Sequence, residues 1–201
     1  MTSPLLIVSR AAPQWHARLR ELFAGRGGLE VLFDRRREER RRRTVVTSLE
    51  RRRRTRRHRD IGHELDQRGW AFVAPEGWAA RRTGKRILLV EDDPLVSDAL
   101  AQLLRCDGYQ VDAVSNGVQA LAQLAARDYD VIVCDVSLPE LDGPGVYRGV
   151  SAIAPHLLPR FIFITGHDVV AGEECLAQVT APLLHKPFEI DALQQAIRRV
   201  S

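Results

Sequence analysis

A handful of side chains in the last 116 residues could carry most of this chain's chemistry. Glu91, Asp92 and Asp93 stand in a row, Asp135 closes one apolar run, Thr165 closes another, and Lys186 is one of only two lysines, the other being Lys85. Carboxylates brought together repel one another unless a cation neutralises them, and hard oxygen ligands suit Mg²⁺. A metal-held aspartate beside an ammonium group and a hydroxyl has what phosphoryl transfer needs. It offers an oxygen nucleophile, charge neutralisation, and donors for the equatorial oxygens. The product expected of such a cup is an aspartyl phosphate.

Elements must bring these residues together. Short apolar runs recur at Ile87 to Val90, Tyr109 to Val114, Val131 to Cys134, Phe161 to Ile164 and Pro182 to Leu184. The near-continuous apolar character of the first, third and fourth predicts strands covered on both faces, as in a parallel sheet. Helical periodicity fills the gaps. Pro94 to Asp107 puts Val96, Ala99, Leu100, Leu103 and Leu104 on one face; Asn116 to Ala126 and Glu189 to Val200 show the same spacing, and Gly143 to Ile153 and Asp168 to Gln178 are the remaining helices. Strict alternation of strand and helix predicts right-handed crossovers and a doubly wound five-stranded parallel α/β sheet over residues 86–201. Ligand sites in such sheets lie at the carboxyl ends of the strands, where Glu91 to Asp93, Asp135, Thr165 and Lys186 all fall.

Each residue also has a plainer reading. Asp93 before Pro94 fits a helix N-cap with proline at the first helical position. Cys134 beside Asp135 points to the opposite face of its strand and reads as core. His156 and His185 read as packed or surface histidines rather than ligands.

Residues 86–201 resemble the receiver domains of two-component response regulators. The resemblance is carried by Ile87-Leu88-Leu89-Val90-Glu91-Asp92-Asp93-Pro94, by Val133-Cys134-Asp135-Val136-Ser137-Leu138-Pro139-Glu140-Leu141-Asp142-Gly143, by Phe163-Ile164-Thr165-Gly166, and by His185-Lys186-Pro187-Phe188, in that order and spacing. It implies a flavodoxin-like strand order 2-1-3-4-5 and Asp135 as phosphoacceptor. Asp92, Asp93, Asp135 and the Ser137 carbonyl would be the Mg²⁺ ligands, Thr165 and Lys186 the residues contacting the phosphoryl group, and Lys186-Pro187 a cis peptide. The implied partner is a histidine kinase or a histidine phosphotransfer protein. The sequence departs from the family at Leu183, where many receivers carry Tyr or Phe, so the usual aromatic switch cannot operate as such. Ser137 and His167 stand two positions beyond the phosphoacceptor and the threonine, where side chains can admit or orient water. Leu183 with His185 looks closer to the receivers appended to hybrid kinases than to those fused to DNA-binding outputs.

The first half is chemically different. Residues 1–85 carry 22 Lys+Arg against 10 Asp+Glu, and residues 86–201 carry 8 against 16. Fourteen arginines fall between Arg35 and Arg59. Within that stretch Asp34-Arg35-Arg36-Arg37, then Arg40-Arg41, is echoed sixteen residues later by Glu50-Arg51-Arg52-Arg53, then Arg56-Arg57. Such a run self-repels and reads first as a solvated loop. Its functional alternative is polyanion capture, because guanidinium forks grip phosphates and stack on bases. Nucleic acid, a small nucleotide such as a cyclic dinucleotide, and an acidic protein or membrane surface are the ligand classes that fit. No Phe, Trp or Tyr interrupts residues 34–69, and no helix-turn-helix or zinc pattern appears. Around the run, Leu5 to Val8, Leu29 to Phe33 and Trp70 to Val73 predict strands, and Pro13 to Ala24 and Gly62 to Arg68 helices. The expected organisation is a small α/β module at 1–75 with an Arg-rich insert at 34–60, a linker at 76–85, and the receiver at 86–201.

Length and composition set the limits. With 201 residues and 22.6 kDa, an ATP-using histidine kinase does not fit. No apolar run approaches the ~20 residues of a membrane span, and a secretory leader is not expected, so the expected location is the cytoplasm. Cys106, Cys134 and Cys175 are too few and too scattered for a disulfide framework. The expected function is that of a phosphorelay response regulator, a signalling switch rather than a turnover enzyme, with output through the N-terminal module or a partner. The alternative is a nucleic-acid or nucleotide-binding adaptor acting through the Arg-rich insert. A metal-dependent phosphatase on a related fold would require a mobile cap region, which the sequence does not offer.

Overall fold

The computed structural model describes residues 5–23, 29–34, 61–73, 84–166 and 179–201. The expected fourth receiver helix at Asp168 to Gln178, His167, Cys175, nearly all of the proposed linker and the arginines from Arg35 to Arg59 lie outside them. The chain divides into two compact units, residues 1–20 with 29–76 and residues 21–28 with 77–201.

In the first unit, strand β1 (Leu5–Val8), helix α1 (Pro13–Leu22), strand β2 (Glu30–Phe33), helix α2 (Gly62–Arg68) and strand β3 (Trp70–Val73) build a three-stranded sheet in the order β2-β1-β3. The β1 and β2 strands run parallel, as a strand-helix-strand unit requires, and β3 pairs antiparallel to β1 with Leu6 opposite Phe72 and Val8 opposite Trp70. Alternation along β1 and β3 gives the sheet two covered faces. Leu6, Val8, Trp70 and Phe72 are buried on one; on the other, Ile61 and Leu65 of the α2 segment pack with Ala71, Ile7 and Val73. Gly69 ends α2 at φ 78°, the left-handed conformation that glycine adopts without steric cost.

The second unit has strand β4 (Arg86–Val90), helix α3 (Pro94–Cys106), strand β5 (Gln110–Val114), helix α4 (Gly117–Ala126), strand β6 (Val131–Asp135), helix α5 (Gly143–Ile153), a 3₁₀ turn at Pro155–Arg160, strand β7 (Phe161–Thr165), strand β8 (Leu183–His185) and helix α6 (Ile190–Val200). All its strand pairs are parallel, and the order is β5-β4-β6-β7-β8, which is 2-1-3-4-5 counted within the unit. The central strands β6 and β7 are buried at every position, as their unbroken apolar runs require. Chain order doubles back between β4 and β6, so their carboxyl ends flank the crevice where such sheets bind ligands.

Local sequence fixes the helix starts. Asp93 accepts from the Leu95 and Val96 amides ahead of α3, Asn116 from the Gln119 amide ahead of α4, and Asp142 from the Gly145 amide ahead of α5. Each satisfies amides that the first helical turn leaves unpaired. Cys134 is fully buried among the core residues of this unit, and burial pushes its thiol well above the usual range.

Candidate functional site

Strand β4 ends at Val90, and the next amide, Glu91 N, donates to Val114 O at the end of β5 (3.1 Å). That anchors Glu91 over the crevice with 3% of its surface exposed, while Asp92 is exposed to solvent. Across the crevice β6 delivers Asp135, 6% exposed, and Val136 N donates to Ile164 O (2.9 Å), keeping β6 and β7 in register up to the turn. Oxygen atoms of Glu91, Asp92 and Asp135 all lie within 4.8 Å of one another.

Lys186 closes the cup from β8. Its amide donates to Thr165 O (2.7 Å), and the Lys186-Pro187 peptide is cis, as the resemblance implies. From this anchor its Nζ donates to Glu91 Oε2 at 2.8 Å and to Asp135 Oδ2 at 2.5 Å. The other carboxylate oxygen of Asp135, Oδ1, accepts from the Ser137 amide at 2.8 Å. Burial alone would lower the lysine's pKa, but Glu91 and Asp135 outweigh it and hold the ammonium form above its ordinary value. Glu91 moves the other way from its aqueous value. Burial, offset in part by Lys186 and reinforced by Asp135 and Asp92, pushes it up to about 7.

The loop after β6 is shaped around the aspartate. The Gly143 amide donates to Val136 O (3.0 Å), and a Cβ on Gly143 would stand 2.4 Å from the Asp135 carbonyl oxygen. Only glycine permits that approach, which explains the Asp142-Gly143 pair that opens α5.

Of the residues predicted to hold metal, the structure brings Asp92 and Asp135 together. Asp93 is not part of the acidic group. Its carboxylate caps α3 through the Leu95 amide (2.9 Å) and the Val96 amide (3.4 Å), and Glu91 is the third member of the acidic group. Ser137 is exposed and holds Asp135 through its amide. Thr165 is fully buried at the end of β7, and its hydroxyl donates to Gly166 O (3.2 Å). Two signals could have found Glu91: it directly follows an apolar strand at the crevice, and Asp93-Pro94 is a helix start. The donor set fits a small hard cation, since three carboxylates with one lysine leave the crevice acidic and all donors are oxygen.

Residues 87–198 match the family described as response regulator receiver domain. The chain belongs to that family. Over 117 residues this receiver is 34% identical to the response regulator receiver protein CpdR of Brucella abortus (strain 2308), covering 58% of this chain and 96% of CpdR. It is 34% identical over 113 residues to the transcriptional regulatory protein ZraR of Escherichia coli O157:H7, covering 56% of this chain but about a quarter (25%) of ZraR. Among solved structures it is similar to the receiver domain of sensor histidine kinase PA1611 from Pseudomonas aeruginosa PAO1, with TM-score 0.50 and 32% identity over 58% of this chain and 97% of that one. That structure holds a magnesium ion in its active site cleft. The receiver belongs to a signalling family, and no helix among the described residues is long and apolar enough to cross a membrane.

Proposed function

We propose that Asp135 accepts a phosphoryl group from a phosphohistidine of a histidine kinase or a histidine phosphotransfer protein, making this chain a phosphorelay switch. The observation that supports this reading is the pairing of a buried Asp135 with Lys186 at the mouth of β6, inside the acidic group of Glu91 and Asp92. In the transfer a carboxylate oxygen of Asp135 attacks phosphorus, the new O–P bond forms, and the P–N bond breaks. Its electron pair leaves with the imidazole nitrogen. Glu91, Asp92 and Asp135 would hold Mg²⁺, which supplies the positive charge that lets an anionic donor approach a carboxylate. Lys186 already touches the carboxylate that changes and can follow its new charge onto a phosphoryl oxygen. Thr165 has a hydroxyl bonded only one residue away, so a side-chain rotation redirects it toward the same oxygens.

Readout differs from the common pattern because residue 183 is Leu, packed against the core cluster, with no ring to rotate. We assign the division into a module at 1–75, a linker at 76–85 and a receiver at 86–201, with signalling in the cytoplasm through the N-terminal module or a partner. Intact-mass measurement after incubation with acetyl phosphate and Mg²⁺ tests the proposal. The wild-type chain gains the mass of one phosphoryl group, and Asp135→Asn and a Mg²⁺-free control gain none. An undiminished adduct in Asp135→Asn refutes it.

A further inference from the structure

The N-terminal unit contains a second place where ligand chemistry converges. An open concavity of about 460 Å³ is lined by Arg10, His16, Arg20, Glu30 and the β2 residues Val31 to Phe33. Two of its lining residues form a ring stack: His16 of α1 lies over Phe33 of β2 with centroids 3.9 Å apart and planes 11° from parallel. Arg10 and Arg20 are both exposed at its rim, Leu32 leaves 40% of its surface open, and Glu30 is the one acid among the lining residues. β2 is an edge strand of its sheet, so the concavity lies at a border rather than inside a core.

We propose that this concavity binds single-stranded nucleic acid, with a base continuing the His16–Phe33 stack and Arg10 and Arg20 meeting the flanking phosphates. Rings select for a base over an acidic peptide, because every base has a π-face and carboxylates do not. Guanidinium forks grip phosphate bidentately but grip carboxylate as well, so the rings carry the choice of a base. The sequence decides between a small nucleotide and a polymer. Two residues after Phe33 the arginine run begins, and residues 34–60 carry fourteen arginines against five acidic residues. A nucleotide with two or three charges leaves most of that excess unmatched, whereas a polyanion carries one phosphate per residue and matches it. The stretch from 34 to 69 lacks aromatic residues, and the stack supplies the missing platform from α1 and from the strand just before the run. RNA and single-stranded DNA share the required chemistry.

Fluorescence anisotropy of labelled twelve-residue oligouridylate and oligothymidylate with the full chain tests the site. Binding should weaken steeply with salt. His16→Ala and Arg20→Glu should each lower affinity about tenfold. Arg20→Glu changes an exposed side chain and is read without repacking, and Arg20→Lys should recover part of the loss. Arg148→Glu, which reverses an equal charge on the exposed surface of the receiver, should stay within about twofold. A preference for oligouridylate assigns the site to RNA and the reverse assigns it to DNA. Binding unchanged in both His16→Ala and Arg20→Glu overturns the proposal. So does displacement by polyglutamate as efficient as by unlabelled oligonucleotide, which leaves charge alone, or full displacement by one equivalent of a cyclic dinucleotide.

Discussion

Nζ of Lys186 lies 2.5 Å from Oδ2 of Asp135, although 51 residues separate the two along the chain. The same ammonium group is bonded to Glu91 at 2.8 Å, and both carboxylates are buried. A lysine so placed compensates two carboxyl groups that are largely withdrawn from water. Removing one partner of a buried ion pair leaves the other charge uncompensated, at a cost of about 3 kcal/mol. Lys186→Met should therefore lower the urea-unfolding free energy by about that amount in EDTA. If the cup holds Mg²⁺ as proposed, adding Mg²⁺ should restore more stability to the variant than it adds to the wild type. Equal unfolding curves for the two proteins in EDTA would show that the contact contributes nothing.

Asp93 caps α3, as its place before Pro94 suggested, and Glu91 lies with Asp92 and Asp135 in the acidic group. If Asp93 serves only as a cap, Asp93→Asn keeps the acceptor and should leave stability within about 0.5 kcal/mol, while Asp93→Ala should cost about 1 kcal/mol. Calorimetric titration should give both variants Mg²⁺ affinities within about threefold of wild type, because neither loses an inward-facing oxygen. Glu91→Gln removes a donor from the cup and should weaken Mg²⁺ at least about tenfold. The reverse ranking, with Asp93→Asn the weaker binder, would return Asp93 to the metal site.

These two acids also mark where the sequence is legible and where it is not. Unbroken apolar runs such as Val131 to Cys134 announced buried parallel strands, and all five strands of the receiver sheet stand within a residue or two of their expected bounds. The meeting of Asp135 with Lys186 was legible because parallel topology sends every strand's carboxyl end to one edge, where Thr165 also ends β7. Three consecutive acids are harder to tell apart, since the turn after Val90 decides which carboxylates face inward and only the Asp93-Pro94 helix start sets one of them aside. The 3₁₀ turn at Pro155–Arg160 was not expected, because two prolines in six residues match neither strand nor helix periodicity. The His16–Phe33 stack was invisible for another reason: 17 residues separate the rings, and only the parallel pairing of β2 with β1 brings Phe33 to the helix that carries His16.

Gly143 gives a test of the loop that carries Asp135. A methyl group there would meet the Asp135 carbonyl oxygen at 2.4 Å and the Val136 Cα at 3.0 Å, both backbone atoms that cannot swing aside. Gly143→Ala should cost about 2 kcal/mol in chemical denaturation, in the range of overpacked cores. Because the displaced atoms belong to Asp135 and its neighbour, phosphoryl labelling by acetyl phosphate should slow as well. Wild-type stability together with wild-type labelling in this variant would mean that the loop relaxes freely.

Tyr129 predicts an alkaline limit to stability. Its ring is 1% exposed, and its hydroxyl donates to Asp112 Oδ2 at 2.9 Å. Burial, then the bond to the Asp112 carboxylate, pushes the phenol up to about 12. In the unfolded chain it ionises near 10. Between those values the folded state keeps a proton that the unfolded state has lost, so unfolding free energy must fall as pH rises through that window. The stabilisation is complete below about pH 10 and gone above about pH 12, and it is worth about 3 kcal/mol. Tyr129→Phe has no proton to lose. Between pH 9.5 and 11.5 its stability should decline less steeply than that of the wild type, and the difference between the two curves isolates the phenol from every other alkaline titration. Parallel curves across that range would place the hydroxyl in water rather than against Asp112.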